Sequence, residues 1–371
     1  MNLVTKKQII DIIEDIAPQE YAINADNPGL QIGDLDGEVA KCLVCLDVTQ
    51  SVLEEAIDNN VDLIVSHHPV IMEPLNDLSN YSLPSYIIQA IKHDLTIYSC
   101  HTNYDAAPKL GVNHALIDRL GITLNSSLPL QPSYEHRYYK LVVYVPKDYI
   151  WEVHSSVTGS GAGCLGNYSH VSFQSEGLGT FYPCSGSNPV IGQVDNLSKV
   201  TEIKLETIVL DRDLNHVING MLAVHPYEEP AYDVYMLKEP IKVVGLGLAG
   251  ELLTPISGRD LINKVNANLQ TEARIAGPMY ETISRLAVCG GSGGKLVQNA
   301  SYRGIQALIT GDVKYHEALT AREQNIMLID AGHRETELPS IDQLANYIND
   351  KLGSGCKTEI SVSSNQDSVF Y

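Results

Sequence analysis

The sequence predicts an α/β fold in which duplicated βαβ units form a mostly parallel sheet, interrupted by a ferredoxin-like insert of order βαββαβ. Three observations lead there. In both outer parts, short apolar runs rich in β-branched residues alternate with stretches of helical periodicity, the pattern of parallel strands joined by helices. The middle part follows a different order, two helices spaced among longer alternating strands. Finally, residues 41–68 lie on residues 285–312 without a gap. That match is one of apolar pattern, since only Val44, Cys45 and Ala56 meet identical residues, Val288, Cys289 and Ala300.

The elements follow in order. Ile9, Ile10, Ile12, Ile13 and Ile16 recur at helical spacing, and Pro18 stops that helix. Residues 24–30 are dense in turn formers. Residues 41–48 read as a buried strand, 51–59 as a helix, and 61–66 as a second strand running into His67-His68-Pro69. Residues 85–92 read as a helix, 95–99 as a third strand ending near His101 and Asp105, and 112–120 as a helix closed by Gly121. Residues 126–132 are linker-like, with Pro129 and Pro132. The middle part then reads as strand 139–145, helix 147–156, a hairpin-like pair at 168–173 and 179–183, strand 201–210, helix 214–224 and strand 231–238. The second outer part reads as strand 285–289, helix 294–300, strand 305–310, helix 314–323 and strand 326–330, which runs on to His333. The expected division is 1–127 for the first half of the α/β domain, 128–281 for the insert and 282–371 for the second half.

Composition excludes several classes. Lys and Arg number 25 against 45 Asp and Glu, a net charge of −20. Such a surface repels phosphate, which argues against nucleic acid and anionic membranes as partners. No run reaches the ~18 apolar residues of a membrane span. The first residues lack an apolar signal core, and seven cysteines are too sparse for a disulfide scaffold. A cytoplasmic location with reduced thiols is the expectation. The 20 tyrosines, against 3 Phe and 1 Trp, suit half-buried strand positions.

In parallel α/β sheets, ligands bind outside the carboxyl ends of the strands. Three predicted ends stand out: Ser66-His67-His68-Pro69, His101-Thr102-Asn103-Tyr104-Asp105, and His333-Arg334-Glu335-Thr336-Glu337. At a turn before Pro69, both imidazoles can swing toward one site. His333 and Glu337 are four apart, so one helical turn puts them on one face. Imidazoles with carboxylates are the ligands of borderline transition metals: zinc, manganese, iron, nickel or cobalt. Five such side chains, His67, His68, Asp105, His333 and Glu337, suit two divalent ions with positions left open for water.

These residues, with Asp26-Asn27-Pro28-Gly29-Leu30-Gln31-Ile32-Gly33 and Thr310-Gly311-Asp312, resemble the Ngg-interacting-factor family. Its bacterial members are usually labelled GTP cyclohydrolase I type II homologues. The resemblance covers both outer parts in order. It implies that His67 and His68 each bind one metal, that Asp105 joins the ion of His68, that His333 joins the ion of His67, and that Glu337 bridges. It also implies a toroidal homohexamer with metal sites facing the interior. His225-Pro226-Tyr227-Glu228-Glu229-Pro230-Ala231-Tyr232-Asp233 resembles the PII/CutA-like middle domain of the long bacterial members. Two departures are Ala25, where many members have Trp, and Arg334, where a smaller or aromatic residue is expected.

His101, Asp312 and His316 fall near strand ends, where they could hold a ligand ring or move a proton. Asp312 could instead cap a helix, and His316 could be a solvated surface residue. Gly290-Gly291-Ser292-Gly293-Gly294-Lys295 follows a strand and opens a helix, yet it is not a Walker A loop, so a tight turn for close packing is favoured over anion binding. Cys42 and Cys45 have redox spacing but lie inside an apolar strand, which favours a core role. A lone GxGxxG at 245–250 lacks an acidic partner on a second strand. The segment 225–233 reads either as a ligand-sensing or inter-subunit loop or as a strand entry fixed by its prolines.

Two functions from different classes follow. The first is a binuclear metal-dependent hydrolase for a small nucleotide-like substrate. The second is a non-catalytic metal-binding regulatory assembly whose insert senses a ligand or partner.

Overall fold

Thr5 starts the first helix by a reciprocal cap. Its Oγ1 accepts from the Gln8 N–H, and the Gln8 side chain accepts from the Thr5 N–H. That sets the helix so that Ile9, Ile10 and Ile13 face the core. The structure, a computed structural model, describes residues 3–75, 85–165 and 167–366.

Elements come in the order β1 (Val4–Thr5), α1 (Lys6–Ile16), β2 (Gly29–Ile32), β3 (Glu38–Val39), β4 (Lys41–Cys45), α2 (Gln50–Asp58), β5 (Leu63–Ser66), α3 (Ser85–Lys92), β6 (Thr96–Ser99), α4 (Thr102–Asp105) and α5 (Val112–Arg119). Next are β7 (Leu124–Pro146), α6 (Ile150–Gly159), β8 (Ser172–Phe181), β9 (Ser198–Leu210), α7 (Leu214–Val224) and β10 (Tyr232–Ile256). The last are α8 (Gly258–Leu269), β11 (Arg274–Ala276), β12 (Ile283–Val288), α9 (Val297–Tyr302), β13 (Ala307–Thr310), α10 (Tyr315–Glu323), β14 (Met327–Asp330), α11 (His333–Leu352) and β15 (Glu359–Val362). They form two units, one of Met1–Tyr134 with Val244–Tyr371 and one of Glu135–Val243. Among the described residues, no helix is long and apolar enough to cross a membrane.

In the first unit, β15, β4, β5 and β6 run parallel, and β2 pairs antiparallel with β6. A second parallel run, of three strands, is β12, β13 and β14, flanked by antiparallel partners, β10 on β12 and β11 on β14. The parallel strands therefore lie in two sheets, where the sequence suggested one. β2 closes the β6 edge of the first run, and β10 and β11 close both edges of the second, so β12, β13 and β14 offer the first run no free edge. Residues 244–281, grouped with the insert on sequence grounds, lie in this unit. Leu261, Val265 and Leu269 of α8 pack with Ile283 and Leu286 of β12, and β11 pairs with β14.

Alternate residues of β4 feed two cores. Cys42 and Val44 pack with Ile9 and Ile13 of α1 and with Ile341, Leu344 and Ile348 of α11. Leu43 and Cys45 pack with Val52 and Leu53 of α2. Burial on both faces is what a parallel sheet requires. It also pushes both thiols well above the usual cysteine range. In the folded protein, Ellman's reagent should label the exposed Cys164 and Cys184 at once and Cys42 and Cys45 only after denaturation. Rapid native labelling at either strand position would contradict the core assignment.

In the second unit, β7, α6, β8, β9, α7 and β10 follow one another, with sheet order β10-β7-β9-β8. Val153 and Val157 of α6 and Val217 and Met221 of α7 cover Leu141, Val143, Leu205 and Val209. The hairpin-like pair expected at 168–183 is instead the single strand β8, paired with β9 from Ser172 to Phe181. Gly177 and Gly179 look like turn residues in sequence. Gly179 is there for proximity: a Cβ on it would lie 2.1 Å from Glu202 Oε2.

Candidate metal centre

The parallel ladder runs past the end of β5. His67 N–H donates to Cys45 O and His68 N–H to Leu46 O, both at 3.0 Å. Neighbours on an extended chain point apart. Here Ser66 Oγ donates to the His68 carbonyl at 2.9 Å and lies 2.7 Å from Ser99 Oγ, and the two ring centroids end 5.0 Å apart. His101 follows β6, and Asp105 closes α4. His333 opens α11, and Glu337 comes one turn later, with His333 Nε2 at 3.2 Å from Glu337 Oε1.

Each imidazole is held through Nδ1. His67 Nδ1 lies 2.9 Å from Cys100 O, His68 Nδ1 2.8 Å from Asp47 Oδ1, His101 Nδ1 2.7 Å from Asp26 Oδ1, and His333 Nδ1 2.7 Å from Asp312 Oδ2. A carbonyl or carboxylate only accepts, so each Nδ1 donates, and in the neutral ring Nε2 keeps its lone pair for a cation. Outer partners of this kind orient imidazole ligands at metal sites.

The Nε2 atoms converge with the carboxylates in three groups, each with its donor atoms within 4.8 Å of one another: His67, Asp105 and Glu337; His68, His333 and Glu337; and His67, His68 and His101. Glu337 belongs to two of them. Its Oε1 is 3.7 Å from His67 Nε2, and its Oε2 is 3.1 Å from His68 Nε2. Asp105 thus stands with His67, at 3.6 Å, and His333 with His68, the reverse of the pairing that the resemblance implies. The reason is positional: Asp105 lies beyond β6 on the His67 side, whereas α11 brings His333 to the second ring, with centroids 5.4 Å apart.

The residues fit a metal. His67 Nε2, Asp105 Oδ1 and Glu337 Oε2 are buried and have no hydrogen-bond partner. Such atoms are costly unless something occupies the space between them. Charge tells the same story. Burial raises the Asp105 pKa, His67 opposes and Glu337 adds, leaving it at about 6. Burial would also raise Glu337, but the neighbouring imidazoles of His333 and His67 hold it well below the carboxylate range. For His68, burial works downward and is outweighed by Asp47 and Glu337, which lift it to about 10. Glu337 lifts His333 to about 9. Protons and a divalent cation compete for these same atoms.

The remaining predicted residues separate. Asp312 lies at the centre, holding His333. His101 stands among the Nε2 donors. His316 is exposed on α10 against Tyr315 and belongs to none of the three groups. Asp47 was not singled out in sequence, and Asp26 entered only as the first residue of the motif 26–33, with no role assigned to it. Asp47 lies just past the carboxyl end of β4, beside the histidines of β5, and that position was the available signal. Asp26 sits in the turn-rich loop, where it also accepts from the Thr102 N–H and hydroxyl. The glycine-rich loop packs on the centre, since Gly291 lies against Glu337 and His333. A cleft of about 1050 Å³ opens beside His68 and His333, with Asp47, Asp312, Arg274 and Arg334 in its walls.

Asp47→Ala and Asp312→Ala keep every candidate ligand and free one ring each. Each is expected to weaken divalent-metal binding by about 10–100-fold with unchanged circular dichroism. Unaltered affinity in both would show that the two aspartates do not orient the rings.

Fold and donor set define the class: an α/β protein with a metal-binding cluster at the ends of two runs of parallel strands. The Duf34/NIF3 (NGG1p interacting factor 3) family matches residues 4–368. Curated relatives called "GTP cyclohydrolase 1 type 2 homolog" include one from Halalkalibacterium halodurans, 39% identical, covering 90% of this chain and 89% of its own length. Another, from Bacillus subtilis, is 38% identical, with 89% and 88% covered. A Bacillus cereus protein related to NIF3 has a crystal structure that matches with a TM-score of 0.86 at 34% identity over 100% of both chains. The chain belongs to the Duf34/NIF3 family.

Proposed function

We propose that this chain is a metal-dependent hydrolase with a two-metal centre, acting on a small nucleotide-like substrate. The observation that supports it most is Glu337, buried and shared between the group of His67 and Asp105 and the group of His68 and His333. A pair of divalent transition ions, when bound, supplies Lewis acidity toward an electrophilic carbon or phosphorus. The chain's own residues do the rest. Asp26, Asp47 and Asp312 orient the rings. His101, held by Asp26 at the edge of the cluster, is placed to move a proton. Arg274 and Arg334 line the cleft and offer cations to an anionic substrate in a protein of net charge −20. His316 has no part in this reading. The relatives' name supports a GTP-like substrate.

The same proposal takes the second unit as a ferredoxin-like, PII/CutA-like insert. Its order βαββαβ and its sheet order β10-β7-β9-β8 support that. It takes the outer parts as a duplication, supported by the alignment of β5 with β13, whose ends, Ser66 and Thr310, correspond in the sequence match. Homohexameric assembly and a cytoplasmic location rest on the resemblance and the composition.

The test is metal content by plasma mass spectrometry on tag-free protein, followed by a turnover screen of GTP and other nucleotides in the ion found. About two equivalents with nucleotide turnover is the expected result. Full metal loading without turnover of any nucleotide, phosphoester or amide would favour the second reading, a regulatory metal-binding assembly, which the separate cavity in the second unit supports.

A further inference from the structure

The segment His225–Asp233 finds its place in the second unit, whereas the metal centre belongs to the first. His225 is buried, with Nε2 3.1 Å from Tyr144 O, and its Nδ1 accepts from the Tyr227 N–H at 3.1 Å. Nε2 therefore carries the proton, and burial pushes the His225 pKa down, so the ring is neutral. It fixes Tyr227, whose hydroxyl donates to Glu202 Oε1 at 2.8 Å. Tyr144, Tyr227 and Glu202 border a cavity of about 520 Å³.

The chemistry of its walls is one-sided. Glu202, Glu228 and Glu229 line it, and no lysine, arginine or histidine is among the described residues that do. Glu202 is only 9% exposed. The rings of Phe181 and Tyr227 meet edge to face, with centroids 5.5 Å apart and planes at 62°, and Tyr144 and Tyr182 add further aromatic wall. Gly179 keeps the space beside Glu202 Oε2 clear. The loop carrying Asn188, whose neighbours Ser187 and Pro189 line the cavity, is tied to Glu228, the Asn188 N–H donating to Glu228 Oε2 at 3.0 Å.

We propose that this cavity binds an organic cation, an amine or guanidinium with an apolar body, its charge on Glu202 and its body against the aromatic walls. A buried carboxylate needs a partner charge, and aromatic faces attract cations. An anion would meet three glutamates and nothing positive. A bare divalent cation wants six to eight oxygens; here one Glu202 oxygen is engaged by Tyr227 and most of the wall is aromatic or apolar. The volume suits a small organic molecule. This site is independent of the metal centre and goes beyond the activity proposed for it.

The experiment is calorimetric titration of the full-length protein with phenethylamine, beside phenylacetate and 2-phenylethanol, which keep the ring and replace the charge. Phenethylamine should bind with a Kd below about 1 mM, and the anionic and neutral analogues at least about tenfold more weakly. Glu202→Gln keeps the size and an acceptor for Tyr227 and should cost about tenfold or more. Val190→Trp, on the exposed wall, should block the cavity without touching the carboxylate and serves if Glu202→Gln does not fold. Metal content and thermal unfolding should be unchanged in Val190→Trp. No saturable binding of phenethylamine, equal binding of the neutral analogue, or full binding by Val190→Trp would each overturn the proposal.

Discussion

Replacing Glu337 by glutamine is expected to empty the metal centre while leaving the fold in place. The carboxylate is 2% exposed and shared by two of the three donor groups. Its oxygens face His67 Nε2 and His333 Nε2 on one side and His68 Nε2 on the other. An amide of the same shape has one oxygen, no charge and a donor where an acceptor is needed. Losing an outer partner costs roughly 10–100-fold in metal affinity, and losing a shared inner ligand should cost more. The imidazoles also lose the charge that raises their pKa values, so protonated rings have less reason to persist in the metal-free variant. Dialysed Glu337→Gln should contain little metal, turn over no substrate and unfold as cooperatively as the parent. Full stoichiometry in this variant would remove the shared-ligand assignment, and with it the proposed two-metal centre.

Gly291→Ala should have a comparable effect without removing any ligand atom. Gly291 has φ +64°, a left-handed conformation that costs other residues about 1–2 kcal/mol. A Cβ there would lie 2.1 Å from Glu337 Oε1 and 3.2 Å from His333 Nε2. The backbone cannot easily yield. Gly291 N–H donates to Thr336 Oγ1 at 3.0 Å, and its carbonyl accepts from Gly311 N–H at 2.8 Å and from Thr310 Oγ1 at 2.9 Å. The carboxylate must therefore move. Expected are a fall in melting temperature of a few degrees and a drop in metal affinity of about tenfold or more. Retained metal with an unchanged melting temperature would mean that the loop does not set the position of Glu337.

The candidate ligands were legible because a parallel strand puts its functional residues at its carboxyl end. His67-His68-Pro69 after 61–66 and His333 after 326–330 announce themselves in that way. Asp47 and Asp26 did not. Each is one acid in a turn-forming stretch of a strongly acidic chain, and only the 2.8 Å and 2.7 Å contacts to His68 and His101 set them apart. His316 shows the opposite failure. Its spacing from Asp312 suggested one helical face, but α10 begins only at Tyr315, and Asp312 stands before it with φ +52°. Strand β8 was obscured by its glycines, of which Gly179 serves proximity to Glu202 rather than a turn.

By itself the sequence determined what local periodicity governs: the strands β4, β5, β6, β12, β13 and β14 and the helices between them, the burial of Cys42 and Cys45 on opposite faces, and the stock of imidazoles and carboxylates from which a centre could be built. Neighbouring residues decide these things, so a short window is enough to read them. Tertiary structure alone decided that the parallel strands occupy two sheets, that Asp105 stands with His67 and His333 with His68, and that a glycine loop leans on Glu337. Each of these depends on packing between segments far apart in the chain, and many apolar patterns alike would permit other partners. Donor geometry is settled at a scale of tenths of an ångström, which hydrophobic periodicity does not encode.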